Sequence, residues 1–255
     1  MTELRAREFE VRWEGELDAS PEQVWAAITE HTDGYLWKIH YEPWVGGVER
    51  GLTSGGGSVT AWDPPRQFTT RASDPDAFNE LDYRLEPRGG GTYLRYRHRA
   101  VLAEDYDRQL DCCRQHTAFY CHSLGEYVRG FAGRDPVYIS VDAPEESAKD
   151  GFATLRGALG LPGDPTGGPE VGERVRLTPA GLEPIEGVVD YRTPAFLGVR
   201  TADALYRFYG RDTWGWPVGV AHHLFAEGAG RPDKMATGQA WSAWLTDVFT
   251  TEAVD

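Results

Sequence analysis

The longest helical pattern in the chain, from about Tyr106 to Phe131, sets the tightest limit on what the rest can fold into. Tyr106, Leu110, Cys113, Thr117, Tyr120, Leu124, Val128 and Phe131 recur at steps of three and four, which places them on one face of an α-helix. The opposite stripe, Arg108, Asp111, Gln115, Ala118, His122, Glu126 and Arg129, is mostly polar, so the helix is expected to lie with one side on a core and the other in water. Gly130, Gly133 and Pro136 end it, because glycine takes the left-handed cap and proline cannot continue a helix. Almost everything between a first short helix and Tyr106 reads as strands and turns. A curved antiparallel sheet laid against the long helix, an α+β arrangement, is therefore the simplest solution. The helix face mixes Cys113, Thr117 and Tyr120 with aliphatic residues, which suits a core and equally suits one wall of a pocket.

A chain of 255 residues has room for one large or two ordinary domains, and 40% hydrophobic with 12% aromatic residues is ample for packed cores. A net charge of −14 argues against nucleic acid or an anionic membrane as the main partner, since both need a basic surface to release counterions. No charged-then-apolar leader opens the sequence and no apolar run reaches the length of a membrane span, so no membrane insertion and a cytoplasmic location are expected. Cys112, Cys113 and Cys121 all fall on the long helix, an odd set without a disulfide framework, and Cys113 reads as a small core residue.

In chain order, Phe9, Val11, Trp13 and Leu17 alternate with charged residues, which predicts a half-buried strand. A helix follows, with Ser20 as N-cap, Pro21 at the first helical position, Gln23 completing a capping box, and Val24, Trp25 and Ile28 buried. The aromatic stretch from Tyr35 to Trp44 has no clear period and is expected to be a helix end or a loop over the sheet. Short strands come next, separated by glycine and proline turns. The most legible pair alternates Leu81, Tyr83 and Leu85 with polar residues, then Leu94, Tyr96, His98 and Ala100 with Arg95, Arg97 and Arg99. This predicts a hairpin with Tyr83, Tyr96 and His98 inward and the arginine row in solvent offsetting carboxylates.

The second half repeats the order. Val137–Val141 reads as a strand, and Asp142-Ala143-Pro144-Glu145 echoes Asp18-Ala19-Ser20-Pro21-Glu22 before a helix expected from Glu145 to about Leu161. Strands follow around 174–177, 187–191, 196–201, 204–209 and 218–226. A final helix near 237–250 has Trp241, Trp244, Leu245 and Val248 on one face. Two copies of one architecture, residues 1–134 and 135–255, are expected.

Phe9–Leu17, Ala19-Ser20-Pro21-Glu22-Gln23-Val24-Trp25, the Trp62-Asp63-Pro64-Pro65 turn with Phe68, the 81–98 hairpin and the terminal helix resemble a START-related, SRPBCC-type helix-grip domain. Within that superfamily the first half, about residues 5–133, is most similar to homologues of the heat-shock-protein ATPase activator, with the second half a degenerate second copy. The superfamily spans lipid carriers, hormone receptors, polyketide aromatase/cyclases and co-chaperone modules, so the resemblance implies a fold more than a function. It also implies an apolar ligand held between the concave sheet and the long helix. Carried onto this sequence, the lining would be Tyr83, Tyr96 and His98 from strands and Cys113, Thr117 and Tyr120 from the helix, with Trp37, Trp44 or Trp62 at the mouth.

Other chemistry finds little support. Gly55-Gly56-Gly57 lacks the Lys-Ser/Thr of a phosphate loop and reads as a turn. His222 and His223 are adjacent on a strand and point to opposite faces, and Cys112 and Cys113 diverge around a helix, so neither group with its neighbours reads as a metal site. His116 lies three residues from Cys113 without an oxyanion-hole motif, and His98 with Tyr96 is the better candidate pair for proton transfer. No metal or cofactor is expected. Three readings remain: a binder of a small hydrophobic or aromatic molecule, an aromatase/cyclase-like enzyme, and a module that regulates a protein partner through its surface. An open cavity with mainly apolar walls would favour the first, convergence of His98 and Tyr96 the second, and a pocket filled by its own Trp and Tyr side chains the third.

Overall fold

The computed structural model describes residues 7–74, 77–102, 105–164 and 167–250. The chain divides into two compact units, residues 1–134 and 135–255. In the first, β1 (Arg7–Leu17), α1 (Pro21–Thr29) and a single 3-10 turn (Thr32–Gly34) precede six further strands: β2 (His40–Tyr41), β3 (Val48–Arg50), β4 (Gly57–Asp63), β5 (Gln67–Asp74), β6 (Ala77–Arg88) and β7 (Gly91–Leu102). The long helix α2 (Tyr106–Gly130) closes the unit. The sheet is antiparallel with order β1-β7-β6-β5-β4-β3-β2, so the first strand pairs with the last and the rest run as a meander. With α2 against it, the unit has the helix-grip arrangement.

Local sequence explains these elements well. Ser20 accepts a hydrogen bond from the Gln23 backbone N–H at 3.3 Å and the Gln23 side chain accepts one from the Ser20 N–H at 3.0 Å, a complete capping box. Pro21 starts the helix where a missing N–H costs nothing. In the β6–β7 hairpin Tyr83 lies opposite Tyr96 and Leu81 opposite His98, all on the face toward α2. The outward row pairs as charges: Arg95 with Glu86, Arg99 with Glu8, and Arg97 with Asp82 at 3.5 Å. The 35–44 stretch divides between the 3-10 turn's end, the buried Tyr35, Leu36 and Ile39, and the short edge strand β2.

The helix α2 departs from a simple two-sided pattern. Arg108 and Asp111 are exposed, but from Thr117 onward burial runs round the helix, taking in Phe119, Ser123, Glu126 and Tyr127. Glu126, expected in water, is buried and tolerated there because Arg129, one turn on, pairs with it. The helix is propped at both ends. Its first turns pack Tyr106, Leu110 and Cys113 onto Phe9, Val11 and Ala100, and near its end Tyr127 lies so close to Gly34 that a Cβ there would fall 2.4 Å from the ring.

The second unit follows the same strand rule, β8-β13-β12-β11-β10-β9, from β8 (Val137–Asp142), β9 (Arg174–Leu177), β10 (Ile185–Thr193), β11 (Phe196–Arg200), β12 (Ala204–Tyr209) and β13 (Gly219–Leu224). The helix expected from Glu145 to Leu161 is broken. A 3-10 turn at Glu145–Ala148 gives way to extended Lys149 and left-handed Asp150 (φ 55), and α3 runs only from Gly151 to Ala158. The break lets the Phe152 N–H donate to Asp212 at 3.0 Å. α4 (Lys234–Thr250) buries Trp241, Trp244 and Leu245. Trp241 stands edge-on to His222, ring centroids 4.5 Å apart, so the place where α4 meets the sheet is filled by indole. His222 faces this core, accepting a hydrogen bond from the Arg207 N–H, whereas His223 faces the other way against Tyr138. On that second face Arg207 and Asp190 form a buried two-pronged ion pair at 2.8 and 2.9 Å.

Replacing Ser20 by Ala removes one half of the capping box and is expected to lower stability by about 1 kcal/mol. Chemical denaturation followed by far-UV circular dichroism would read this, and an unchanged midpoint would show that the cap contributes nothing.

Candidate functional site

A row of aromatic side chains crosses the concave face of the first sheet. Trp62 lies opposite Phe68, Phe68 opposite Tyr83, and Tyr83 opposite Tyr96, so all share one face. A register shift in β4 between Val59 and Ala61 puts Trp62 on that face, since a bulge re-aims the side chains that follow it. Trp25 of α1 covers one end of the row, with ring centroids 4.9 Å from Trp62 and 6.3 Å from Phe68. The other end, Tyr83 and Tyr96, is left facing α2.

There the helix and sheet enclose a cavity of about 190 Å³. Tyr83, Tyr96 and His98 form its floor, Cys113, Thr117 and Tyr120 its roof, and Trp37 one side. The indole N–H of Trp37 donates to the Gly51 carbonyl at 2.7 Å and its ring stands edge-on to Tyr120 at 6.0 Å, which holds that wall upright. Trp44 and Trp62 do not line the cavity. Trp44 is 52% exposed in the turn before β3, and Trp62 is packed under Trp25 and Phe68.

The cavity also takes in Tyr35, Leu36, Leu52, Asn79, His116 and Cys121. Asn79 was within reach of strand phase, standing two residues before Leu81 on the same face, and His116 was within reach of helical phase beside Thr117 and Tyr120. Tyr35 and Leu52 come from loops, where no period exists to place them. His116 meets Cys112, not Cys113: its Nδ1 lies 3.2 Å from the Cys112 Sγ and 2.9 Å from the Cys112 carbonyl, as expected for residues four apart.

Burial acts on most of the titratable groups in the walls. It pushes the phenols of Tyr35, Tyr83 and Tyr96 well up from their ordinary value. Burial likewise raises the thiols of Cys113 and Cys121. It lowers His98 to about 4, so the imidazole is uncharged at neutral pH. His98 Nε2 lies 3.2 Å from Asn79 Oδ1 and the ring stands edge-on to Phe9 at 5.0 Å. Tyr96 instead leans on Tyr83, centroids 4.9 Å apart. The two residues considered for proton transfer therefore turn to different partners.

Residues 18–129 match the family model described as Activator of Hsp90 ATPase homolog 1-like protein. Over these residues the first domain is similar to that family. Among solved structures, protein MLL2253 from Mesorhizobium loti is similar at 21% identity and a TM-score of 0.41, over 48% of this chain and 97% of that one. CalU16 from Micromonospora echinospora is 21% identical, TM-score 0.39, over 48% of this chain and 76% of its own. The Aha1 dimer from Colwellia psychrerythraea is 18% identical, TM-score 0.38, over 47% and 96%. No curated protein matches the chain. Among the described residues no helix is long and apolar enough to cross a membrane.

The depressed histidines give a signed prediction. The unfolded chain protonates its imidazoles near 6.5, whereas folded His98 does so only near 4 and His222 near 3. Stability is therefore fully present above the unfolded value and falls as pH drops below it, down to the folded values. Imidazole titration by NMR is expected to place His98 near 4. A midpoint at the ordinary value would mean that its ring is open to water.

Proposed function

We propose that the first domain binds a small, uncharged, mainly apolar molecule in the cavity between α2 and the sheet. The observation that carries the reading is a formed cavity of about 190 Å³ walled by aliphatic, aromatic and neutral polar groups. An apolar hole of about 150 Å³ in another protein stays dry and takes up benzene, so this space suits a ring-sized group. Burying such a group contributes through lost apolar surface, about 25 cal/mol per Å², while a charged ligand would lose its hydration with nothing to replace it.

A cyclase-like reaction would require a base near the reacting carbon. His98 is a weak one, held near 4, and the raised phenols are weak acids at neutral pH, so this chemistry favours binding over catalysis. A protein-interaction role has one observation in its favour. Trp44, Val45 and Val48 stand 52%, 64% and 36% exposed beside the short edge strand β2, an apolar knuckle away from the cavity.

The test is native mass spectrometry with small-molecule extraction of the protein purified from its own cells, alongside Cys113→Phe, which places a ring in the cavity. A co-purifying apolar compound is expected in the wild type and its affinity should fall at least about tenfold in the variant, roughly 1.4 kcal/mol. A compound retained equally by both, or none in either, would sink the cavity reading and leave the Trp44 knuckle as the surface to pursue.

A further inference from the structure

A second space, of about 330 Å³, adjoins the cavity between the 53–56 loop, the ends of β5 and β6, and the outer half of β7. Asn79, His98 and Cys113 line both spaces, so these residues form a waist between them. The inner chamber is aromatic and aliphatic. The outer one is mixed: Phe9, Phe78 and Ala100 alternate with Thr53, Ser54, Ser73 and Asp74.

The waist carries a defined hydrogen-bonding pattern. With His98 neutral and its Nε2 donating to Asn79 Oδ1 at 3.2 Å, the histidine Nδ1 is left as a lone-pair acceptor and the Asn79 amide nitrogen as a donor. A group that both accepts and donates, a hydroxyl or a carboxamide, matches this pair. A hydrocarbon would leave both unanswered, at the usual cost of an unmade buried hydrogen bond.

Charge narrows the class further. Among the described residues lining either chamber there is no lysine or arginine, and Asp74 is the carboxylate at the outer rim. Arg71, which caps the Phe78 ring at 4.0 Å, is already held by Glu80 at 2.9 Å and Ser73 at 3.1 Å. Arg99, on the same ring at 5.6 Å, is likewise held by Glu8 and Glu80. An anionic head would find no lysine or arginine among the described residues of either lining and would face Asp74 at the outer rim.

Resting on the cavity reading above, we propose that the ligand is an uncharged amphipath that spans both chambers. Its ring-sized apolar end fills the inner one, a hydroxyl or carboxamide sits at the Asn79–His98 waist, and a short polar tail that can donate hydrogen bonds lies toward Asp74. Fatty-acid-like carboxylates and phosphorylated lipids are the compounds this arrangement rejects.

Butylbenzene, phenylbutanol, phenylbutanamide and phenylbutanoate place the same ring in the inner chamber and vary only what reaches the waist. Calorimetric titration at neutral pH is expected to show the alcohol and the amide binding about tenfold more tightly than the carboxylate. In Asn79→Leu the alcohol and amide should lose about tenfold while butylbenzene keeps its affinity within about twofold. Equal binding of amide and carboxylate, or an Asn79→Leu variant indifferent to the amide, would overturn the amphipath and leave the cavity reading standing. Failure of butylbenzene and of all the others to bind would overturn both.

Discussion

The first domain depends on a helix propped near its two ends, on the sheet at the first and against the Thr32–Gly34 turn at the second. Phe9, Val11 and Ala100 support the first turns of α2, and the glycine at Gly34 lets Tyr127 settle near the other end. Between these supports the sheet presents Tyr83 and Tyr96 and the helix presents Cys113, Thr117 and Tyr120. Tall, stiff rings below and the short Cys113 and Thr117 above do not interdigitate, so a gap remains beside Tyr120. Interiors elsewhere pack to the density of organic crystals, and a gap held open by rigid neighbours is the usual form of a binding site.

The second unit shows the other solution on the same strand order. There α4 carries Trp241 and Trp244, and Trp241 reaches His222 and Phe208 on the sheet. Indole fills the junction of helix and sheet there, whereas Thr117 and Cys113 border a cavity in the first unit. Topology is thus indifferent to whether a cavity remains between helix and sheet; the side chains on the closing helix decide it.

Electrostatics divides the first sheet along its two faces. Outside, Arg95 and Arg99 face Glu86 and Glu8 in solvated pairs that contribute little each, while Arg97 reaches the buried Asp82. Inside, burial pushes Tyr35, Tyr83, Tyr96, His98, Cys113 and Cys121 toward their neutral forms. One alternation of residue type along β6 and β7 produces both faces.

Much of this was legible in the residues. Period-two alternation placed Tyr83, Tyr96 and His98 together, helical phase placed Cys113, Thr117 and Tyr120 opposite, and the Ser20–Gln23 spacing located α1, because each depends on neighbours a few residues apart. The loop and bulge positions were not legible. Trp37 lines the cavity while Trp44 lies in a turn and Trp62 under Trp25, though all are tryptophans near the same sheet. The break at Lys149-Asp150 and the burial of Glu126 were hidden for the same reason. The sequence by itself determined which faces turn inward and that they carry more hydroxyls and rings than a simple core requires. Only the tertiary structure decided that those faces stand apart, that Asn79 and His98 meet at a waist, and where the tryptophans go. Those outcomes depend on distances between segments far apart in the chain, which no local period encodes.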